Sequence, residues 1–233
     1  MDFFIYSMTD CITDCITDYV EHVKEFDVTH IWHNAKIIES VTTKRGTLLE
    51  MVERPMGLSC FMNNSIQSCT SDEQIYHEAL VHPVMSDKVK TVLIIGGGEG
   101  ATAREVLKWP VERVDMYEWD EEVVQLFKKY PQWSKGAWDD KRLHIYYDDI
   151  FTANITSKYD AIIVDLFEPN AQWVTLIDRI RNWSNGSIIM YAGMRTTNVI
   201  PLSIDMWRGI PIDYSITYKY IPSFLGESVF LLR

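Results

Sequence analysis

The stretch Thr91–Asp120, TVLIIGGGEGATAREVLKWPVERVDMYEWD, decides the fold of this chain. The uninterrupted apolar run from Val92 to Ile95 ends at three consecutive glycines, which is typical of a parallel strand buried on both faces. Helix-forming residues then run from Ala101 to Trp109, Pro110 ends the helix, and a second strand follows from Val111 to Trp119. This order of strand, glycine turn, helix and strand predicts the nucleoside-binding half of a doubly wound α/β sheet.

The glycine turn is the first candidate binding feature. Glycines such as Gly96 and Gly98 let the backbone approach a ligand closely, and the helix after them begins with free N–H groups. Glu118 follows about 20 residues later at the tip of the second strand, where an acid can hold ribose hydroxyls. Glu99 stands inside the turn, where a carboxylate would repel a pyrophosphate and attract a cation. We therefore favour a positively charged nucleoside over a dinucleotide; alternatively, Glu99 only complements the dipole of the following helix.

Composition limits the class of protein. The chain has 233 residues, 47% of them hydrophobic and 24% charged, which suits one large domain or one domain with a small attachment. Its net charge of −11 disfavours nucleic acid and anionic membranes as partners. No apolar run reaches the length of a membrane span and the N-terminus has no basic leader, so we expect a soluble, cytoplasmic protein.

The cysteines and histidines predict neither a disulfide framework nor a metal site. Four cysteines are too few for a disulfide scaffold at this length. Cys11 and Cys15 could share one helix face, but no Cys/His pair that would complete a zinc site lies nearby. Because the six histidines are also scattered along the chain, we expect no metal.

Three segments follow one another along the chain. Residues 1–26 have apolar residues at helical spacing and predict an amphipathic helix from about Thr9 to Glu25. Residues 27–70 contain three short apolar runs separated by turn residues, which predicts a small antiparallel β module. Residues 71–233 then form the sheet domain.

A helix is predicted where the β module joins the sheet domain. Ser71 is a good N-cap for it, and the helix is expected to run toward Val81. Tyr76 and His77 would then point toward the mouth of the sheet. Spacing alone also permits a second interpretation, in which these two residues only fill the space between the modules.

The alternation of strands and helices continues to the C-terminus. The predicted elements after Trp119 are the helix Glu121–Tyr130, the strands Arg142–Tyr147 and Asp160–Asp165, the helix Ala171–Trp183, the strand Ser187–Ala192, a helix near Val199–Trp207, and the strands Ser215–Ile221 and Val229–Leu232. Between them, residues 131–140 are predicted to form a loop that carries two tryptophans.

Acidic residues stand at the ends of three predicted strands: Glu118, Asp148 with Asp149, and Asp165 with Glu168. Ligands of open α/β sheets bind outside the carboxyl ends of the strands. Together with Glu99 these acids predict a strongly negative pocket, in which neighbouring carboxylates raise each other's pKa. The expected ligand is therefore a cation.

Several ordered motifs carry a family resemblance: IQSCTSDEQIYHEALVHP, KTVLIIGGGEGATAREVLKW, YEWDEEV, YDAIIVDLFEP and YIPSF. They resemble those of the polyamine aminopropyltransferases, the spermidine and spermine synthases, and most of all the thermospermine or spermine branch. The resemblance runs from about Asn34 to the C-terminus. It implies an N-terminal β module on a Rossmann-like, methyltransferase-type sheet, in a homodimer or a higher homo-oligomer. The implied reaction transfers an aminopropyl group from decarboxylated S-adenosylmethionine to putrescine, spermidine or a similar amine, without cofactor or metal.

The resemblance also implies roles for individual residues. Asp165 is the expected catalytic residue. Its carboxylate accepts the proton of the incoming amine, with help from Tyr76. The expected donor-binding residues are Gln67, Gly96, Gly98, Glu99, Glu118, Asp148 and Asp149. The expected acceptor-binding residues are Tyr76, His77, Glu168 and Phe224. Among the donor residues, Glu118 would hold the ribose, Asp148 the adenine amino group and Glu99 the aminopropyl ammonium.

The chain departs from the family pattern in three places. Lys36 stands where the family usually has a donor-binding glutamine, and Phe224 stands where spermidine synthases have a tyrosine. The segment after Glu168 enters the next helix directly, so the lid over the acceptor is shorter, which favours a spermidine-length acceptor over putrescine. Two other functions stay open, namely a catalytically silent homologue that binds a nucleoside or a partner subunit, and an S-adenosylmethionine-dependent methyltransferase. The methyltransferase is disfavoured because the acidic crevice would repel the carboxylate of its donor.

Overall fold

The computed structural model describes residues 34–166, 173–195 and 214–233. The predicted N-terminal helix, the predicted helix near Val199–Trp207 and the candidate residue Glu168 lie outside these ranges. Within them the chain forms two sheets, one of four strands and one of seven.

The first sheet is an antiparallel meander in which each strand pairs with the next along the chain. Its strands are β1 (Lys36–Thr42), β2 (Leu48–Arg54), β3 (Gly57–Met62) and β4 (Ser65–Cys69). The first three were predicted from their apolar runs. The fourth was not, because SIQSC is largely polar and its pairing with β3 provides the only strand signal.

The second sheet has the strand order β10-β11-β9-β8-β5-β6-β7. Its strands are β5 (Thr91–Gly96), β6 (Arg113–Glu118), β7 (Leu143–Tyr147), β8 (Tyr159–Asp165), β9 (Ser184–Arg195), β10 (Ser215–Ile221) and β11 (Gly226–Leu232). Strands β5 to β9 pair in parallel, whereas β11 is antiparallel to both of its neighbours. The predicted α/β fold class is confirmed, and β9 and β11 are longer than predicted.

Four α-helices lie in the described residues: α1 (Glu73–Val81), α2 (Ala101–Leu107), α3 (Glu121–Lys128) and α4 (Trp173–Trp183). The prediction that Ser71 caps α1 is wrong, because the N-cap position belongs to Asp72. The side chain of Asp72 does not cap the helix either. It accepts a hydrogen bond of 2.6 Å from the backbone N–H of Ser223 and thus ties the start of α1 to the C-terminal part of the chain.

Strand β5 is buried on both faces, as predicted. Val92, Leu93, Ile94 and Ile95 each have 0% of their surface exposed. Val92 and Ile94 pack in one apolar cluster with residues of α1 and α2, while Leu93 and Ile95 pack in another with residues of α4. This two-sided burial holds β5 rigidly and fixes the position of the glycine turn at its end.

In the described part of the chain, none of the helices combines the length and the apolar character needed to cross a lipid bilayer.

Candidate active site

The glycine turn lies between β5 and α2 and packs against the end of β8. Gly96 has a φ of 84°, and a Cβ atom on it would meet the backbone oxygen of Asp165 at 2.1 Å. The next residue, Gly97, donates a backbone hydrogen bond of 3.3 Å to the same oxygen. Only glycine fits this close approach, so the turn brings the start of α2 against the carboxyl end of β8.

Gly98 and Glu118 are in contact across the ends of β5 and β6. A Cβ atom on Gly98 would lie 2.7 Å from Oε2 of Glu118. Burial raises the pKa of Glu118 to about 7, against the opposing effect of hydrogen bonds from the backbone of Asp120, Trp119 and Gly98. A carboxylate that has lost its water in this way gains most from a ligand that donates hydrogen bonds, such as the hydroxyl pair of a ribose.

Asp165 ends β8 and holds two hydroxyl donors. Oδ1 accepts a hydrogen bond of 2.8 Å from the Tyr76 hydroxyl on α1, and Oδ2 accepts one of 2.5 Å from the Thr102 hydroxyl on α2. Burial, together with the charge of Asp165 and the neighbouring Tyr191, raises the pKa of Tyr76. Tyr76 therefore stays protonated and acts as a donor, so that the Asp165 carboxylate is held in one orientation from both sides.

His77 lies between two carboxylates. Its Nδ1 is 2.6 Å from the backbone oxygen and 3.0 Å from Oε2 of Glu73, while its Nε2 contacts Oε1 of Glu99. Burial lowers the tendency of His77 to hold a proton, but the charge of Glu99 and the hydrogen bonds to both acids raise its pKa to about 10. The negative pocket expected from the sequence thus already contains one cation.

Arg104 on α2 holds the Glu73 carboxylate in place beside His77. It forms two hydrogen bonds with the Glu73 carboxylate, of 2.9 and 2.8 Å, and donates another of 2.5 Å to the backbone oxygen of Trp133. The pKa of Glu73 is lowered to about 2, because hydrogen bonds from His77 and Arg104 outweigh the effect of burial. Glu73 is therefore ionised at all ordinary pH values.

A narrow cleft lies beside Tyr76 and His77. Its lining includes Gln67, Phe224 and Ser223. The rings of Tyr76 and Phe224 meet edge to face at 6.1 Å between centroids. These two rings form an apolar wall, and the Tyr76 hydroxyl donates to the Asp165 carboxylate.

The remaining candidate residues lie farther out. Gln67 is exposed, and its amide donates to the backbone oxygen of Ser65. The structure places it in the lining of the cleft with Tyr76 and His77. Asp148 and Asp149 follow β7, where Asp148 is exposed and accepts a hydrogen bond from the backbone of Asp149. No described contact joins either residue to Glu118 or Asp165, so their predicted part in binding stays a prediction.

Sequence analysis missed three residues that hold the site together: Thr102, Glu73 and Arg104. Glu73 and His77 stand four residues apart on one helix, a spacing that brings side chains together and could have revealed the pair. Thr102 and Arg104 carried no such signal, because their partners are 63 and 31 residues away along the chain.

A second group of potential ligands lies where the C-terminal end of α1 meets α2. Glu78, His82 and Glu105 place one potential metal-binding atom each within 4.8 Å of one another, which the scattered histidines did not predict. However, Glu105 already accepts hydrogen bonds from Arg104, from Lys108 and from His82. Two fixed cations on this carboxylate oppose a metal ion, so the group is explained as a network of ion pairs.

The two sheets and their strand order define an α/β protein with a fold of the methyltransferase type. A family described as "Spermine/spermidine synthase domain" matches residues 73–181. A polyamine aminopropyltransferase of Korarchaeum cryptofilum is 33% identical over 225 residues, which cover 90% of this chain and 70% of the relative. The chain belongs to the polyamine aminopropyltransferase family, as the resemblance predicted.

Other comparisons agree with this membership. A polyamine aminopropyltransferase of Saccharolobus solfataricus is 42% identical over 147 residues, or 60% of this chain, so the match spans about half of that relative's length (48%). A crystal structure of a spermidine synthase in complex with the transition-state analogue AdoDATO has a TM-score of 0.73 at 24% identity, over 84% of this chain and 73% of that one. Spermidine synthase from Thermotoga maritima has a TM-score of 0.70 at 23% identity, over 84% and 71%. These two structures support the predicted fold.

Proposed function

We propose that this chain transfers an aminopropyl group from decarboxylated S-adenosylmethionine to a polyamine. The observation that carries the proposal is the set of three carboxylates, Glu99, Glu118 and Asp165, around the glycine turn. Glu99 lies on the turn itself, Gly98 packs against Glu118 and Gly96 packs against Asp165, so the three acids lie at one edge of the sheet. A donor with a ribose, a sulfonium and an ammonium offers a partner for each of them.

The donor is held by the glycine turn and its acids. Glu118 accepts hydrogen bonds from the ribose hydroxyls and Glu99 attracts the ammonium of the aminopropyl arm. Gly96 and Gly98 leave room for the nucleoside against the backbone. Asp148, with Asp149, reaches the adenine amino group from the end of β7, and Gln67 approaches the aminopropyl arm from the cleft.

The chemistry requires a deprotonated amine. The acceptor amine has a pKa of about 10, like lysine, so it arrives protonated and cannot attack until it loses a proton. Asp165 accepts that proton, and the Tyr76 and Thr102 hydroxyls keep the carboxylate aimed at the nitrogen. The amine then attacks the methylene next to sulfur. A C–N bond forms, the C–S bond breaks and its electron pair returns to sulfur, which leaves as methylthioadenosine.

Most of the rate acceleration comes from position and charge. Donor and acceptor repel each other in water because both are cations, and the carboxylates of the site hold them in line. No step of this reaction needs a metal or a resident cofactor, since the sulfonium is itself a good leaving group.

The acceptor lies along the wall formed by Tyr76 and Phe224. His77 borders the same cleft, and Glu168, which lies outside the described residues, would take the more distant ammonium. Because Phe224 offers no hydroxyl, a short diamine lacks one polar partner, whereas a longer amine can use acids farther out. We therefore expect a modest preference for spermidine over putrescine.

Two parts of the proposal concern the whole molecule. We expect the protein to act in the cytoplasm, and we expect a homodimer or a higher homo-oligomer, as the family resemblance implies. Sedimentation of the purified protein tests the second expectation, which a monomeric species at micromolar concentration would contradict.

Calorimetry with three nucleosides tests the donor. Decarboxylated S-adenosylmethionine and methylthioadenosine should both bind, and S-adenosylmethionine should bind at least about tenfold more weakly, since one unfavourable charge contact easily exceeds about 1.4 kcal/mol. Equal or tighter binding of S-adenosylmethionine would contradict the proposal and favour a methyltransferase. Binding without turnover would favour the silent homologue.

A further inference from the structure

A buried chain of charged side chains leads from α2 to the glycine turn. Arg104 binds both oxygens of Glu73, Glu73 contacts Nδ1 of His77, and Nε2 of His77 contacts Glu99. The side chains of Arg104, Glu73 and His77 are only 7%, 4% and 2% exposed, and that of Glu99 is 12% exposed. The reaction as described above uses only the last two of these residues.

We propose that Glu73, clamped by Arg104, is a positioning residue of the active site that keeps His77 protonated and bonded to Glu99, and thereby keeps Glu99 ionised for an ammonium ligand. The identity of that ligand rests on the proposed function. The arrangement of the four side chains does not.

The hydrogen bonds of His77 identify its protonation state. Nδ1 faces two acceptors, the backbone oxygen and the carboxylate of Glu73, so this nitrogen donates. Nε2 faces Glu99 and donates as well when that carboxyl is ionised. An imidazole that donates from both nitrogens is an imidazolium.

All charged groups that face His77 favour this state. Glu73 lies on its own helix, Glu99 on the glycine turn, and Asp165 at the end of β8. Arg104 is the one cation nearby among the described contacts, and it lies behind Glu73. Burial opposes the charge, yet the carboxylates prevail and raise the pKa of His77 to about 10.

Glu99 depends on His77 for its own charge. Burial raises the pKa of Glu99, and the charges of Asp165 and Glu73 add to this rise. The charge of His77 and its hydrogen bond act in the opposite direction and offset part of it. Without the imidazolium, the buried carboxyl of Glu99 would hold a proton more tightly. A neutral carboxyl has no net charge with which to attract an ammonium. The loss of Glu73 would therefore weaken ammonium binding at Glu99, although the two carboxylates bind opposite sides of the imidazole ring.

A merely structural role for Glu73 predicts a different outcome. Removing one partner of a buried ion pair destabilises the fold, and this would weaken every ligand alike at every pH. The positioning role predicts a loss that is confined to ligands with an ammonium and that is reversed when the pH is raised.

Glu73→Gln tests the inference, because glutamine keeps the size and one acceptor but removes the charge. We expect its affinity for decarboxylated S-adenosylmethionine at pH 7 to fall about tenfold, which corresponds to about 1.4 kcal/mol, and to recover as the pH is raised. Methylthioadenosine, which has no ammonium, should bind as it does to wild type at both pH values. Glu78→Gln on the same helix is the matched control, since Glu78 hydrogen-bonds Gln74 instead of His77.

The ring of His77 gives a readout that does not depend on any ligand. In protein labelled with ¹⁵N-histidine, with the His77 signal assigned through His77→Gln, wild type should keep the imidazolium signature at pH 8, and Glu73→Gln should lose it there. Glu73→Asp, which retains the charge, should restore part of the imidazolium signature. This variant also provides the test if Glu73→Gln does not fold.

An unchanged His77 signal in Glu73→Gln would overturn the positioning role. Equal weakening of both nucleosides would overturn it as well, in favour of a structural role. Wild type that binds neither nucleoside would instead overturn the proposed function, and the His77 signal would still decide the role of Glu73.

Discussion

Replacing Asp165 by asparagine is expected to remove most of the turnover while the fold and nucleoside binding persist. The two carboxylate oxygens accept hydrogen bonds from Tyr76 at 2.8 Å and from Thr102 at 2.5 Å. Asparagine has the same size, and its oxygen can keep one of these bonds. Its NH₂ group must face the other hydroxyl, which can rotate and accept. The free energy of unfolding should therefore fall by only about 1–2 kcal/mol, the typical loss when hydrogen bonds to a charged group are weakened.

The effect on the reaction should be much larger. An amide cannot take the proton of the incoming amine, so the contribution of the general base, about 10²–10⁴-fold in rate, is lost. The assay measures kcat through the release of methylthioadenosine, and calorimetry measures nucleoside affinity in the same preparation. Asp178→Asn on the exposed face of α4 is the control, because its described partner is Arg181 on the same helix.

Two outcomes would refute this reasoning. Near wild-type kcat in Asp165→Asn would mean that another group accepts the proton. Loss of nucleoside binding in Asp165→Asn, with Asp178→Asn unaffected, would mean that Asp165 contacts the donor instead of the amine.

Four further results are expected. Glu118→Ala should abolish methylthioadenosine binding by calorimetry. In wild type this binding should strengthen as the pH rises toward 7 and then level off, because burial raises the pKa of Glu118 to about 7 and only the ionised form accepts both ribose hydroxyls. A binding profile that is flat from pH 5 to 8 would contradict this expectation. Gly98→Ala should weaken methylthioadenosine binding, since its Cβ would lie 2.7 Å from Glu118, and unchanged affinity would show that the turn can move aside. Phe224→Tyr should raise kcat/KM for putrescine relative to spermidine in a competition assay, and a shift toward spermidine would show that the hydroxyl points away from the amine. His77 has a pKa of about 10 in the folded protein and about 6.5 when unfolded, so it stabilises the fold below pH 6.5 and this contribution is lost as the pH rises toward 10. The urea midpoint of wild type should therefore fall more steeply between pH 6.5 and 10 than the midpoint of His77→Gln. Parallel plots of midpoint against pH would contradict the charge assignment.

The sequence predicted those parts of the protein that local pattern controls. The apolar run before Gly96 indicated a strand buried on both faces, and the glycines after it indicated a turn that lets the backbone approach a ligand. The acids Glu118 and Asp165 follow such strands directly, so the end of the sheet where they lie could be inferred. These features depend on residues that are close together along the chain.

What the sequence did not predict depends on contacts between distant segments. Trp133 lies in a turn, as predicted, but its burial was not predicted: it has 0% exposure and its Nε1 donates a hydrogen bond of 2.7 Å to Ser68 on β4. Glu99 was expected to face the ammonium of a ligand, and its contact with His77 on a different element was not predicted. Sequence periodicity does not predict that His77 on α1 contacts Glu99 on the glycine turn before α2. The contact forms only after both helices have packed on the sheet.

The most direct test of the proposed function is to incubate the purified protein with decarboxylated S-adenosylmethionine, isotopically labelled in the aminopropyl carbons, and with putrescine or spermidine. We expect the labelled aminopropyl group in the product amine by mass spectrometry, with methylthioadenosine released in equal amount and no product from Asp165→Asn. Methylthioadenosine without a labelled amine would indicate hydrolysis of the donor. Absence of both products from a preparation that binds the donor would contradict the proposed activity.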